Sequence, residues 1–254
     1  MEISAELILN LTIIVLVAFA AVVQRITGLG FAMVLAPFLV VFLGPHDGVM
    51  LTNFLALVAP VLMLGFIWKH IQWRRALWIG AVATVTIPFC GWAAALSPPG
   101  PLYIVVASLV LVGLSLTVVL SRATAVPDSR TARVLAGIGT GAGAVTAGVG
   151  GPAMTVYSVL TRWDVVTFAA TLQPIWIVVS CASLATKWGF SEDGLPGLPW
   201  WVWLSCAVMI VAGLLVGTVL QKRIPHEIVR RTVIGMAFAG AVLALITGIS
   251  TTTG

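Results

Sequence analysis

Gly28-Leu-Gly-Phe-Ala-Met33 and Gly148-Val-Gly-Gly-Pro-Ala-Met154 are two variants of one pattern, set about 120 residues apart in a chain of 254. Each glycine cluster precedes a short apolar segment, Phe31 to Leu43 or Pro152 to Leu160, then an Asp (Asp47, Asp164) and a long apolar stretch. The short segments are about 13 and 9 residues long, whereas a helix needs roughly 20 to cross a ~30 Å hydrocarbon core. Glycine clusters beside segments too short to span, at matching places in two halves, are the pattern of discontinuous helices meeting near a bilayer midplane.

The rest of the chain fits that solvent. Hydrophobic residues make up 60% and charged residues 8%, with a mean hydropathy of +1.14, against about 25% charged in soluble domains. Long apolar segments run approximately Leu7 to Val23, Gly48 to Trp68, Ala76 to Leu96, Leu102 to Leu120, Val134 to Val149, Val165 to Thr186, Trp200 to Leu220 and Ile228 to Ile249. The first follows Glu2 and Glu6 rather than a basic region and lacks a cleavage site, so it is read as a retained span. The expected fold is a single all-α transmembrane domain of about eight long helices and two short broken ones, with ten crossings if the short ones span.

Loop charges orient it. Lys69, Arg74 and Arg75, then Arg122, Arg130 and Arg133, then Lys222, Arg223, Arg230 and Arg231 mark three loops expected in the cytoplasm. Ser97 to Pro101 and Phe190 to Pro199, the latter with Glu192 and Asp193, carry no net positive charge and are expected outside. Placing all basic loops inside makes Pro152 to Leu160 carry the chain across with help from the preceding helix, and puts Arg25 and Arg162 inside. Five crossings per half follow, with both termini outside. An odd number inverts the second half, so repeat 1 (about 1–125) and repeat 2 (about 130–254) are expected to be inverted copies. The competing topology has eight spans and two re-entrant loops, with Arg162 outside.

Free N–H groups at the start of a half-helix carry partial positive charge and bind anions. The helix starts are expected at Phe31 and Pro152, a residue suited to a first turn. Gly28, Gly30, Gly148, Gly150 and Gly151 either expose that backbone or only permit close packing, as Gly137, Gly141, Gly213 and Gly217 do at GxxxG spacing. Thr52 and Asn53 in one half and Thr171 and Gln173 in the other are polar residues inside spans; they either bind solute or bond a neighbouring helix. Trp176 follows Gln173 by about one helical turn, so it lines the same cavity or faces lipid. Arg25 either attracts an anion or anchors a helix end. Pro37, Pro60, Pro88 and Pro174 interrupt spans and free carbonyls. The remaining Trp residues, among them Trp163 and Trp203, lie near span ends, where an interfacial belt explains them.

Acids and histidines fall at termini or in loops, so no proton relay is expected, and an intramembrane hydrolase would lack a base. The membrane potential, worth about 2.3 kcal/mol per charge per 100 mV, is enough to drive anion export. Cys90, Cys181 and Cys206 are odd in number and lie in apolar runs, so buried thiols are expected, with no disulfide, metal or cofactor. The net charge of +5 sits in short loop clusters, which points away from nucleic acid. The expected partners are a small anion and the lipid bilayer, and the GxxxG spacings permit a homodimer.

The Arg25-Ile-Thr-Gly-Leu-Gly-Phe31 and Gly148-Val-Gly-Gly-Pro152 segments, with their symmetric placement and the chain length, resemble the sulfite exporter TauE/SafE family over nearly the whole chain. That resemblance implies a bacterial cytoplasmic-membrane permease for sulfur-containing anions such as sulfite, sulfoacetate or related organosulfonates, usually exporting. The first cluster lacks the paired glycines of the second, so the two half-sites need not be equivalent. The rival reading is a transporter that binds a cation or neutral solute at the same helix breaks.

Overall fold

The computed structural model describes residues 2–28, 30–120, 124–190, 196–223 and 226–253. Among them lie ten α-helices: α1 (Glu2–Thr27), α2 (Phe31–Leu43), α3 (Pro45–Ile67), α4 (Trp73–Ala95), α5 (Pro99–Leu120), α6 (Arg130–Ala147), α7 (Gly151–Leu160), α8 (Val165–Phe190), α9 (Trp200–Leu220) and α10 (His226–Thr253). Six of them, α1, α3, α4, α8, α9 and α10, contain stretches long and apolar enough to cross a membrane. The described apolar part of α5 is shorter, Gly100–Leu116. Helix α6 is rich in Gly, Ala and Thr and begins with Arg130 and Arg133. Arg122, Glu192 and Asp193 lie outside the described residues.

Helix α1 packs on α9, α4 on α6 and α8, and α5 on α10. One core joins α1, α2, α3 and α9 around Ile13, Val17, Leu35, Leu51, Leu55 and Ile210. A second joins α4, α6, α7 and α8 around Ile79, Ile87, Met154, Leu172 and Ile175. Each half thus lends its fourth helix, α4 or α9, to the other half's core, while α2, α5 and α10 share a third.

Close approach explains the glycines in the first two contacts. A Cβ on Gly141 would lie 2.5 Å from the Ala83 carbonyl oxygen, and one on Gly137 2.8 Å from the Val82 Cβ, so bare backbone lets α6 sit on α4. Gly213 and Gly217 do the same for α9 against Ala18, Ala21, Val22 and Arg25 of α1. Both GxxxG stripes are therefore consumed within one chain.

Basic residues collect at one end of the bundle. Arg25, Ile67, His70, Val165 and Gln221 border one cavity there. Arg75 and Arg133 both pair with Asp128 (2.7 and 2.6 Å), and Tyr157 near the end of α7 donates to the same carboxylate. Arg75 also lies 4.6 Å over the Trp163 ring. Helix α7 accordingly ends at the end of the bundle where α6 begins. At the opposite end the start of α3, the ends of α4 and α8, and Leu102 of α5 come together, and Gly100 touches Thr252 near the end of α10.

Some sequence expectations change. Helix α8 runs to Phe190 rather than Thr186, which draws Lys187 into it. His46 and Asp47 belong to the first turn of α3 rather than to a loop. Trp163 is buried under Arg75 between Tyr157 and Phe168 instead of joining an interfacial belt, and Trp203 packs edge-on against Phe54. Cys181 is exposed rather than buried, because it lies on the outward face of α8; Cys90, Cys181 and Cys206 are all free thiols.

Candidate functional site

Helix α1 ends when Gly28 turns into the left-handed region (φ 73°), its N–H still donating to the Gln24 carbonyl at 2.8 Å. A Cβ there would overlap Ala169 of α8, so the position excludes a side chain both by conformation and by space. Gly30, at φ 123°, is the N-cap of α2 and supplies no side-chain cap. The first N–H groups of α2 have no partner within the helix; the one from Phe31 reaches the Gln24 side-chain oxygen at 3.4 Å. In the other half Gly148 closes α6 at φ 68°, and α7 starts at Gly151, with Gly150 as an uncapped N-cap and Pro152 in the first turn. Proline removes an N–H that the helix leaves unbonded anyway.

The two starts meet. Gly151 is so close to Met33 that a Cβ would lie 2.9 Å from its Sδ. Between them is a cavity of about 30 Å³ bordered by Gly30, Phe31, Asn53, Gly148, Gly150, Gly151 and Trp176, together with Gln24 and Ser180. On this scale a water needs ~10–15 Å³, so only a small species fits. Trp176 closes one side, its Cζ3 lying 3.0 Å from where a Gly150 Cβ would be. Among the described residues no charged side chain borders the cavity. Its polarity comes from Gln24, Asn53 and Ser180 and from the positive ends of two helix dipoles, roughly half an elementary charge each.

The remaining expected residues stand around it. Gln173 is fully buried behind the first break, donating to the carbonyls of Gly28 (3.1 Å) and Ala169 (2.8 Å) and accepting from the Gln24 amide at 3.3 Å. The two amides thus link α8 to the start of α2. Asn53 donates to Val49 and to Ala144 of α6, both at 3.0 Å, tying α3 to the end of α6. Thr52 bonds the Gly48 carbonyl and presses on Gly148. Thr171 is elsewhere: its hydroxyl accepts from the Gln72 N–H at 3.0 Å and pins the turn before α4. Pro152 faces away from the cavity, against Gly113 of α5. Arg25 and Gly28 border a larger cavity of about 290 Å³ at the basic end, where Arg25 Nε donates to the Thr218 hydroxyl at 2.8 Å.

Several residues escaped the sequence reading. Gln24 follows the apolar stretch Leu7 to Val23 and precedes Arg25, where a polar residue reads as a helix end. Thr140 is fully buried against Gly150, and its hydroxyl has no hydrogen-bond partner. Ser180, Ser183 and Lys187 continue from Gln173 and Trp176 along one face of α8, at 3 and 4 residue steps; that periodicity was the available signal. Asp128, in the loop before α6, is the hub of the basic end. Hydrogen bonds from Arg133, opposed by burial and helped by Tyr157 and the charge of Arg75, hold its carboxyl down to about 2. Among the described residues no cluster of His, Cys, Asp and Glu has the makeup of a metal site.

No match was found among curated proteins or solved structures. The family model for the sulfite exporter TauE/SafE matches residues 13–244, nearly all of the chain, and that family consists of membrane transporters rather than enzymes. With apolar helices long enough to span a bilayer and a cavity at two opposed helix starts, the match has its structural counterpart: the chain belongs to the sulfite exporter TauE/SafE family.

Proposed function

We propose that this protein exports sulfite or a closely related small sulfur oxyanion across the bacterial cytoplasmic membrane, binding it between the starts of α2 and α7. One observation carries the reading: two half-helix N-termini face one cavity bordered by no acid, a setting that favours an anion and disfavours a cation. The rival cation reading would have to rest on backbone carbonyls and on Asn53 and Ser180, since among the described residues no carboxylate borders this cavity. The small volume favours sulfite over longer organosulfonates.

The inverted-repeat reading adds a mechanism. Exchanging the halves pairs α1 with α6, α2 with α7, α3 with α8, α4 with α9 and α5 with α10. Part of the packing is consistent with that exchange, since α1 on α9 answers α6 on α4, α2 on α10 answers α7 on α5, and α3 meets α8, whereas the broad contacts of α4 on α8 and of α2 on α3 have no counterparts of like extent. We read ten crossings, with the basic end in the cytoplasm. Rocking of the α1, α2, α3, α9 core against the α4, α6, α7, α8 core would open the cavity alternately to the two sides. The potential alone supplies roughly 4.6 kcal/mol per 100 mV for a dianion.

The test is flux of radiolabelled sulfite in proteoliposomes with the potential clamped. Potential-dependent flux is expected in the wild type and absent in Gly150→Leu, whose side chain would meet Thr140 and Trp176. A folded wild type that moves neither sulfite nor any of a panel of sulfonates would overturn the reading.

A further inference from the structure

Helix α8 continues past the central cavity. Trp176 and Ser180 border that cavity, Ser183 follows one turn later, and Lys187 a turn after that, so Ser180, Ser183 and Lys187 share a helix face. All three are buried, at 3%, 0% and 9% exposure. Lys187 borders a second, smaller cavity of about 20 Å³ at the end remote from the basic loops, with His46 of α3 and Thr146 of α6.

Two details separate this face from ordinary helix packing. Hydroxyls within these helices usually satisfy themselves on the carbonyl four residues back, as Thr52, Thr84, Thr86, Thr146 and Thr218 do. Among the described residues the Ser183 hydroxyl instead has no hydrogen-bond partner, and along the helix it lies between Ser180 at one cavity and Lys187 at the other. Secondly, an ionisable side chain buried within a membrane span marks a solute pathway more often than a packing role. Among the described residues, Asp47 in the first turn of α3 is an acid whose charge reaches Lys187. It tempers the positive field, as release from a staging site requires.

We infer that Lys187, with His46 and Thr146, forms a second oxyanion site at the outer end of the pathway, and that Ser183 bridges it to the central cavity. The site takes the same class of ligand, a small sulfur oxyanion, after it leaves the half-helix starts. This rests on the anion-permease reading, and its test has a readout that does not need transport.

In a background with Cys90, Cys181 and Cys206 replaced by Ser, Ala94→Cys puts a thiol on the wall of the outer cavity. Its reaction with an impermeant thiol reagent is followed with sulfate or methanesulfonate added as protectants, since both are inert to such reagents. Protection is expected, with a half-protecting concentration at least tenfold higher in Lys187→Met and within threefold of the parent in Lys187→Arg. Asp47→Asn keeps the lysine and should protect at severalfold lower anion concentration. In flux measurements, Lys187→Met should raise the half-saturating sulfite concentration tenfold at the Lys187 side and leave the basic side within twofold; a purely structural lysine would shift both together. Protection absent in the parent, equal in Lys187→Met, or weakened by Asp47→Asn overturns the outer site. Transport by the wild type with no one-sided effect of Lys187 overturns it too, and leaves the permease standing. Protection without any wild-type flux keeps the outer site and removes the permease.

Discussion

Asp128 shows how much a single side chain can hold at the basic end, since it accepts from Arg75, Arg133 and Tyr157, on three helices, at once. The hydrogen bonds from Arg133 hold the Asp128 carboxyl down to about 2, well below the usual carboxylate range. A depressed folded value means the stabilisation is complete above the unfolded pKa and is lost as pH falls from about 4 towards 2. Asp128→Asn is therefore expected to destabilise the purified protein by about 2 kcal/mol at neutral pH and to flatten the acid limb of its thermal unfolding profile between those values. An unchanged acid limb would remove Asp128 from that role. Gln173 acts through Gln24 on the start of α2. Gln173→Leu should lower sulfite flux about tenfold, the equivalent of ~1.4 kcal/mol, in a protein that still folds; full flux would show that the amide pair does not shape the site. The sequence pointed to Gln173 because a carboxamide inside an apolar run stands out. It did not point to Gln24, because only the folded chain reveals that α1 brings this residue beneath Phe31.

Among the elements, glycine at different contacts predicts opposite results. On α6, Gly141 lies against the Ala83 backbone, whereas a Cβ on Gly80 of α4 meets nothing within 4 Å. Gly141→Ala should push α6 off α4 and destabilise by about 1–3 kcal/mol. Gly80→Ala should be neutral or stabilise by up to about 1 kcal/mol through the helical preference for alanine. Thermal unfolding of the two variants side by side checks the pair, and a similar loss in both would contradict the packing. Element boundaries were legible where punctuation is strong: α2 and α9 begin and end where the hydropathy pattern placed them. Helix α8 was misplaced at its end because one lysine, read along the chain, looks like the start of a loop. Burial against other helices lets the helix run on through it.

The described molecule is two four-helix cores, flanked by α5 and α10, that meet at the pair of helix starts. Arg162 lies in the segment that follows α7 and precedes the buried Trp163. Arg162→Cys, in the cysteine-free background, should react only with reagent on the cytoplasmic side. Labelling from outside would invert the assignment of the basic end. By itself the sequence determined the solvent, the ten helical segments, the two breaks and the family resemblance, because hydropathy, glycine placement and loop charge are local properties that survive in one dimension. Tertiary structure alone decided which side chains border the cavity between the breaks, that Thr171 and Pro152 turn away from it, that the GxxxG stripes are spent within the chain, and that Lys187 is buried beside a second cavity. Those outcomes depend on which helices pack together, and packing is a sum over contacts between residues far apart in the chain.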